Sequence, residues 1–210
     1  MKIYAIFTPS HKIFYDNHFL PSISKDDNLE VIPTEIPQEC ETGSFYKEGW
    51  SQTCFRKVEL FIKACEENMG NTFIFSDVDI QFFGPIRNQL LLELGDYDFA
   101  CQNDTGAYYC SGFWICKANE RTLNMFKSMR DNYNKEDQTS LNEQVYLCKS
   151  KFLSRKFFTI AHVTGRVWNG EDVYIPDDIL MHHANWTEGI DNKIKLLKMV
   201  KNKIDGTYTA

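Results

Sequence analysis

The run Thr72-Phe73-Ile74-Phe75-Ser76 is apolar throughout its interior and closes on two carboxylates, Asp77 and Asp79. A compact continuous run of this kind is the mark of a strand buried within a sheet. It constrains the chain to a layered fold with that sheet inside. The flanking segments supply the layers. Residues 2–7 are rich in Ile, Tyr and Phe and end at Thr8-Pro9-Ser10, so they form a first strand running into a polar loop. Over residues 51–68, Phe55, Val58, Phe61, Ile62 and Cys65 recur at three- and four-residue steps. That is one apolar helical face, stopped by Met69-Gly70-Asn71.

The same patterning predicts further strands over 29–32, 80–83, 98–102, 113–116, 157–162 and 173–175. It predicts helices over 87–94, 119–133, 137–148 and 193–203. Strands alternate with helices, which is the signature of an α/β layered domain. Residues 26–48 hold seven acids against one lysine, with Pro33 and Pro37 among them, and read as a short strand followed by an exposed loop. There is no internal repeat, low-complexity tract or linker, so one domain over residues 1–210 is expected.

Composition narrows the function classes. The net charge of −6 disfavours a general nucleic-acid binder, which carries a basic face. No stretch approaches the roughly 20 apolar residues of a membrane span. The first apolar stretch stops at Thr8, too early for a secretory signal, so a cytoplasmic protein is expected. The seven cysteines include no C-x-x-C pair and no zinc-ligand spacing, so they read as reduced core thiols.

Two features carry chemistry. In extended geometry Asp77 and Asp79 point to the same side, so both carboxylates face one ligand at the end of the strand. Hard divalent cations such as Mg²⁺ and Mn²⁺ take oxygen ligands and bridge to phosphates. The bland reading is a pair of acids capping the next element. The second feature is His182-His183, after the apolar Ile179-Leu180-Met181. Neutral imidazole ligates metals, and only one of two adjacent strand residues faces a given site. Lys193 opens a basic amphipathic helix ten residues later and reads as a phosphate partner or a solvated charge. The helix itself, with Lys195, Lys198, Lys201 and Lys203, reads as a packed edge with solvated lysines or a surface for an anionic lipid or neighbouring domain.

In order along the chain, several segments resemble nucleotide-diphospho-sugar transferases of the GT-A fold, close to glycosyltransferase families 8 and 77. Ala5-Ile6-Phe7-Thr8-Pro9 resembles the first strand and nucleotide loop. Gly49-Trp50 with Arg56-Lys57 resembles the helix before the metal motif. Phe75-Ser76-Asp77-Val78-Asp79-Ile80 is similar to the metal motif itself. Cys110-Ser111-Gly112-Phe113 resembles an N-s/t-G-f turn. Asp137-Gln138-Thr139-Ser140-Leu141-Asn142 resembles a D-Q-x-x-L-N helix start. His183-Ala184-Asn185-Trp186, with Gly189 and Lys193, resembles the C-terminal segment. The set is also similar, at this compact size, to glycosyltransferase domains of large DNA viruses of algae, for which the setting would be the host cytoplasm.

The resemblance implies a single catalytic domain with a mixed, mostly parallel sheet flanked by helices. It implies transfer of a sugar from a nucleoside-diphosphate donor, a UDP-sugar, to a glycan or glycoprotein acceptor with retention of configuration. Asp77, Asp79 and His183 would hold Mn²⁺ or Mg²⁺, with His182 as the alternative to His183. The metal would bridge both phosphates and stabilise the departing nucleoside diphosphate. Thr8 and Pro9 would line the base pocket. Lys57, Lys193, Val78, Ser111 and Gly112 would contact the donor, and Asp137 and Gln138 would sit near the anomeric carbon or acceptor. Asp137 would act either as a transient nucleophile or as a stabiliser of an oxocarbenium-like centre.

Two departures stand out. Cys110 occupies the place of an Asn, and 210 residues leave little for acceptor binding, as expected of a minimal enzyme or one domain of a longer chain. Two other readings use the same residues. A haloacid-dehalogenase-like phosphatase would pair Asp77 and Asp79 with Asp177 and Asp178, but its nucleophile strand normally opens the chain. A non-catalytic nucleotide-sugar-binding module would use the abundant aromatics as platforms, but it would not need both acids of the metal motif.

Overall fold

The computed structural model describes residues 1–41 and 47–207. Positions 42–46, part of the expected acidic loop, lie outside the described residues. The main sheet holds six strands: β1 (Lys2–Phe7), β2 (Glu30–Glu35), β3 (Thr72–Asp77), β5 (Phe99–Asn103), β6 (Tyr109–Lys117) and β7 (Ser150–Phe152), in the order β2-β1-β3-β6-β5-β7. A smaller sheet joins β4 (Ile80–Phe82), β9 (Met181–His183) and β8 (Phe157–Thr159). Five helices of eight residues or more accompany them among the described residues: α1 (Trp50–Glu67), α2 (Arg87–Leu94), α3 (Glu120–Asp131), α4 (Asp137–Gln144) and α5 (Ile190–Ile204). Pairs β1–β2, β1–β3 and β5–β7 are parallel, whereas β3–β6 and β5–β6 are antiparallel. The sheet is therefore mixed and mostly parallel, as expected.

Alternation along the central strands divides the core in two. Ile3, Ala5 and Phe7 face one apolar cluster, which includes Ile74, Phe113 and Leu196 and Leu197 of α5. Tyr4, Ile6, Phe73 and Phe75 face the other, built against α1 and α3. There Phe61 of α1 meets Phe75 edge-on at 4.7 Å and Trp114 at 5.1 Å between centroids. Truncating such a side chain costs about 3–5 kcal/mol. Gly49 opens α1 with φ of 81°, and a Cβ there would fall 1.8 Å from the Glu39 carbonyl oxygen, so only glycine fits.

Register explains where the site forms. Ile6 pairs with Asp77, so the ends of β1 and β3 meet at one sheet edge. Ser76 pairs with Phe113, which brings residues 110–112 beside Asp77. Ile80 pairs with His183, and the Ala184 amide donates to the Asp79 carbonyl at 2.9 Å.

Three sequence expectations need correction. The strand over 157–162 ends at Thr159, because its partner β9 ends at His183. The Ile160 carbonyl then accepts from the amides of Val163 and Thr164, which closes a helical turn over Ala161–Thr164. Residues 173–175 form no strand: Ile175 is buried in the core, the Val173 carbonyl accepts from Lys203 Nζ, and Pro176 has no amide to offer. Helix α4 stops at Gln144 and passes into a 3₁₀ turn, Val145–Leu147. All seven cysteines are buried, and Cys54, Cys65, Cys101, Cys110, Cys116 and Cys148 are free thiols. Helix α5 packs Leu196, Leu197 and Val200 into the core, and Lys203 pairs with Asp172. No described helix is long and apolar enough to cross a membrane.

Candidate functional site

A cavity of about 840 Å³ opens where β1, β3 and β6 converge. Ligand pockets typically span about 300–1,000 Å³. Thr8, Lys57, Asp77, Val78, Asp79, Ser111 and Gly112 line it, as do Asp137, Gln138, His183 and Lys193. Pro9 does not: it starts a helical turn, Pro9–His11, and is exposed. His182 does not either. It is fully buried on the opposite face of β9, its ring 5.9 Å from that of Phe158, and burial lowers its pKa to about 3. His183 is the histidine that faces the site, and His182 as an alternative ligand is corrected. Asp177 and Asp178 are exposed and lie outside the cavity lining, which removes the second acid pair of the phosphatase reading.

Asp77, Asp79 and His183 offer ligand atoms that all lie within 4.8 Å of one another. His183 Nε2 is 3.3 Å from Asp79 Oδ1 and 4.0 Å from Asp77 Oδ2. Gly112 completes this corner by what it lacks. A Cβ at that position would fall 2.4 Å from His183 Cε1 and 2.6 Å from Asp77 Oδ2. The donor set is two carboxylate oxygens and one imidazole nitrogen, which suits a divalent cation of the Mg²⁺ or Mn²⁺ class.

Two ammonium groups neutralise the acids. Lys57 Nζ lies 2.9 Å from Asp77 Oδ2 and 2.9 Å from Asp137 Oδ2. Lys193 Nζ lies 2.5 Å from Asp79 Oδ2. Burial would raise the Asp79 carboxyl, but Lys193 and then His183 outweigh it and hold it well below the usual carboxylate range. Burial also opposes the charge on Asp137, and Lys57 again prevails, lowering the Asp137 pKa. Asp77 goes the other way: burial raises it against the pull of Lys57, and the neighbouring Asp79 adds to the rise. Lys57 loses by burial and gains more from Asp137 and Asp77, so it stays firmly protonated.

Helix α4 is positioned by its own motif. Asn142 Oδ1 accepts from the Tyr109 amide and its Nδ2 donates to the Tyr109 carbonyl, both at 2.9 Å. Leu141 is buried in the core beneath. That clamp sets Asp137 and Gln138 at the cavity. The Ser111 amide donates to Gln138 Oε1 at 3.3 Å, and Gln138 Nε2 donates to Asp104 Oδ2 at 2.9 Å.

Asp104 was not singled out by sequence. It is 5 % exposed, and Asn185 Nδ2 and Trp186 Nε1 donate to its Oδ1 at 2.7 and 2.8 Å. Its signal was available: it follows a strand at the same sheet edge as Asp79, where α/β folds place ligands. His11 was also missed. Its Nδ1 meets the hydroxyls of Thr8 and Ser10 at 3.2 and 3.0 Å, and burial lowers its pKa to about 4. Cys110, at the departure from the N-s/t-G-f turn, is buried with Sγ 3.7 Å from Asn185 Nδ2.

The profile of a family described as nucleotide-diphospho-sugar transferase matches residues 21–197. Among solved structures, the chain is similar to a glycosyltransferase involved in the glycosylation of the major capsid of PBCV-1. The TM-score is 0.60 at 13% identity, covering 95% of this chain and 98% of that one. It is similar to the galactosyltransferase LgtC in complex with donor and acceptor sugar analogues, with a TM-score of 0.59 and 10% identity over 100% of this chain and 97% of that one. Glycosyltransferase GlyE of Streptococcus pneumoniae TIGR4 gives a TM-score of 0.54 at 11% identity, over 87% of this chain. The match spans only 54% of the GlyE chain. At these identities the likeness is one of fold. No curated protein matches the chain.

Proposed function

The chain belongs to the nucleotide-diphospho-sugar transferase family, and on that premise we propose that it moves a sugar from a UDP-sugar to a glycan or glycoprotein acceptor. The observation that carries this reading is one cavity holding a three-ligand cation corner, two lysines and the Asp137–Gln138 pair. Asp77, Asp79 and His183 would hold Mn²⁺ or Mg²⁺. When bound, that ion supplies Lewis-acid stabilisation of the departing nucleoside diphosphate. Lys193, on the first turn of α5, adds a point charge for the diphosphate. Thr8 stands at the β1 end of the cavity, where the base and ribose would lie.

Asp137, kept ionised by Lys57, presents negative charge toward the anomeric carbon. That suits a carboxylate acting as nucleophile or as stabiliser of an oxocarbenium-like centre, and retention of configuration belongs to the same reading. Gln138 offers an amide held in place by Asp104. The free thiols of Cys54, Cys65, Cys101, Cys110, Cys116 and Cys148 support a reducing, cytoplasmic setting.

The test is calorimetry with UDP, with and without Mn²⁺, on the wild type and Asp79→Ala. Binding that requires Mn²⁺ and disappears in the variant is expected. Metal-independent binding, or equal binding by the variant, would overturn the cation site. Turnover of a nucleotide-sugar panel to free UDP separates an enzyme from a binding module.

A further inference from the structure

Gln102, within β5, is fully buried and does not line the cavity. A buried primary amide must place two N–H donors and one carbonyl oxygen. Gln102 Nε2 donates to the backbone carbonyls of Phe157 and Phe158 at 3.2 and 3.1 Å. Both acceptors belong to β8 and offer only lone pairs. Turning the amide over would set its oxygen against two carbonyl oxygens, so its orientation is fixed. Its Oε1 is then directed at Nδ1 of His183, 2.9 Å away. An amide oxygen has no hydrogen to give, so Nδ1 must carry one. The other neighbour of Nδ1, Cys110 Sγ at 3.7 Å, is a weak partner by comparison.

With Nδ1 committed, Nε2 is the nitrogen left for a ligand, and it is the one that faces Asp79 and Asp77. We infer that Gln102 is a positioning residue for the cation corner: it sets the His183 tautomer and ring angle that aim Nε2 at an ion shared with both carboxylates. Partners of this kind fix the orientation of metal-bound histidines and raise their basicity. Gln102 also ties the large sheet to the small one, because its three hydrogen bonds reach β8 and β9. The inference rests on the proposed reading only in assigning a cation to this corner, and one of its two tests does not involve a cation.

The first test is ¹⁵N NMR of the histidine rings in the metal-free protein at mildly alkaline pH, with His183 assigned by a His183→Gln variant. A proton on Nδ1 is expected, whether or not Nε2 also carries one toward Asp79. A neutral ring protonated on Nε2 would overturn the inference. The second is direct titration with Mn²⁺ alone, read by electron paramagnetic resonance. Gln102→Leu should weaken Mn²⁺ binding by about 10–100-fold. A folded Gln102→Leu protein with wild-type Mn²⁺ affinity would also overturn it. If Gln102→Leu does not fold, the NMR result on the wild type decides. If the wild type binds no Mn²⁺, the cation site and the role of Gln102 toward it fall together. Loss of sugar transfer with Mn²⁺ binding intact would leave this inference standing and count against the proposed function.

Discussion

Lys193 Nζ sits 2.5 Å from Asp79 Oδ2, so an ammonium group from α5 occupies one face of the carboxylate that closes the metal motif. That pair joins the two ends of the chain's chemistry, residues 114 apart in sequence. A divalent cation approaching Asp79 must compete with this ammonium, whereas a diphosphate draws the ammonium away. The metal and the nucleotide should therefore help each other to bind. Lys193→Ala is expected to tighten Mn²⁺ alone and to weaken UDP in the presence of Mn²⁺, each by about 10-fold, the equivalent of roughly 1.4 kcal/mol. Calorimetric titration of each ligand checks this. Constants that move in the same direction would count against the exchange.

Gly112 tests the corner from its floor. A methyl group there would lie 2.4 Å from His183 Cε1 and 2.6 Å from Asp77 Oδ2, so the ligands and not the backbone must give way. Gly112→Ala should lose about 1–3 kcal/mol of stability, in the range of overpacking in a tight site. Its Mn²⁺ binding should fall well beyond what that loss of stability explains. Thermal melting and Mn²⁺ titration on the same samples separate the two effects. A folded variant that binds Mn²⁺ normally would refute the steric argument.

What sequence disclosed follows a physical line. Residues 72–77 and 2–7 were legible because a buried strand must be apolar without interruption, and Asp77 and Asp79 because two carboxylates at the end of such a strand are conspicuous. Choosing between His182 and His183 was beyond pattern alone: their faces depend on the register of β9 against β4. Residues 173–175 misled because Ile175 is buried like a strand residue but has no ladder partner, and burial is what patterning detects. Asp104, Gln102 and His11 stayed hidden because their roles are set by partners 34 to 82 residues away, or by a three-residue turn with no apolar period.

Asp98 carries a pH dependence outside the site. Arg121 donates to its two oxygens at 2.9 and 2.7 Å, the Asn119 side chain donates at 2.9 Å and the Lys149 amide at 3.0 Å. These partners, Arg121 first, lower its pKa from 3.8 to about 2. A depressed carboxylate stabilises the folded state above its unfolded pKa and loses that contribution as pH falls through the folded one. The contribution is thus complete above about pH 4 and gone near pH 2. Because the Arg121 side chain is 65% exposed, solvent screening reduces its worth to about 1–2 kcal/mol. Asp98→Asn should unfold that much more easily in urea at pH 7, and the difference from wild type should vanish in acid. A difference that persists unchanged down to pH 2 would mean that the charge is not its cause.

Asp104 should control turnover more than binding. Its Oδ2 accepts from Gln138 and its Oδ1 from Asn185 and Trp186, so one carboxylate fixes α4's second residue against the loop that follows β9. Nothing else among the described residues accepts from Gln138 Nε2. Asp104→Ala leaves three donors without their acceptor, at about 1–3 kcal/mol each where water cannot replace it. Asp104→Asn keeps one oxygen but turns an NH₂ toward a donor, so it should restore the site only in part. A misplacement of about 1 Å in a group beside the reacting atoms costs on the order of 100-fold in rate. Asp104→Ala is therefore expected to lose about that factor in kcat, while the Kd for UDP with Mn²⁺ stays within a few-fold, because Asp77, Asp79, His183 and Lys193 are untouched. Steady-state kinetics beside calorimetry reads both quantities. Equal losses in kcat and in UDP affinity would show that Asp104 supports the whole cavity and does not specifically position Gln138.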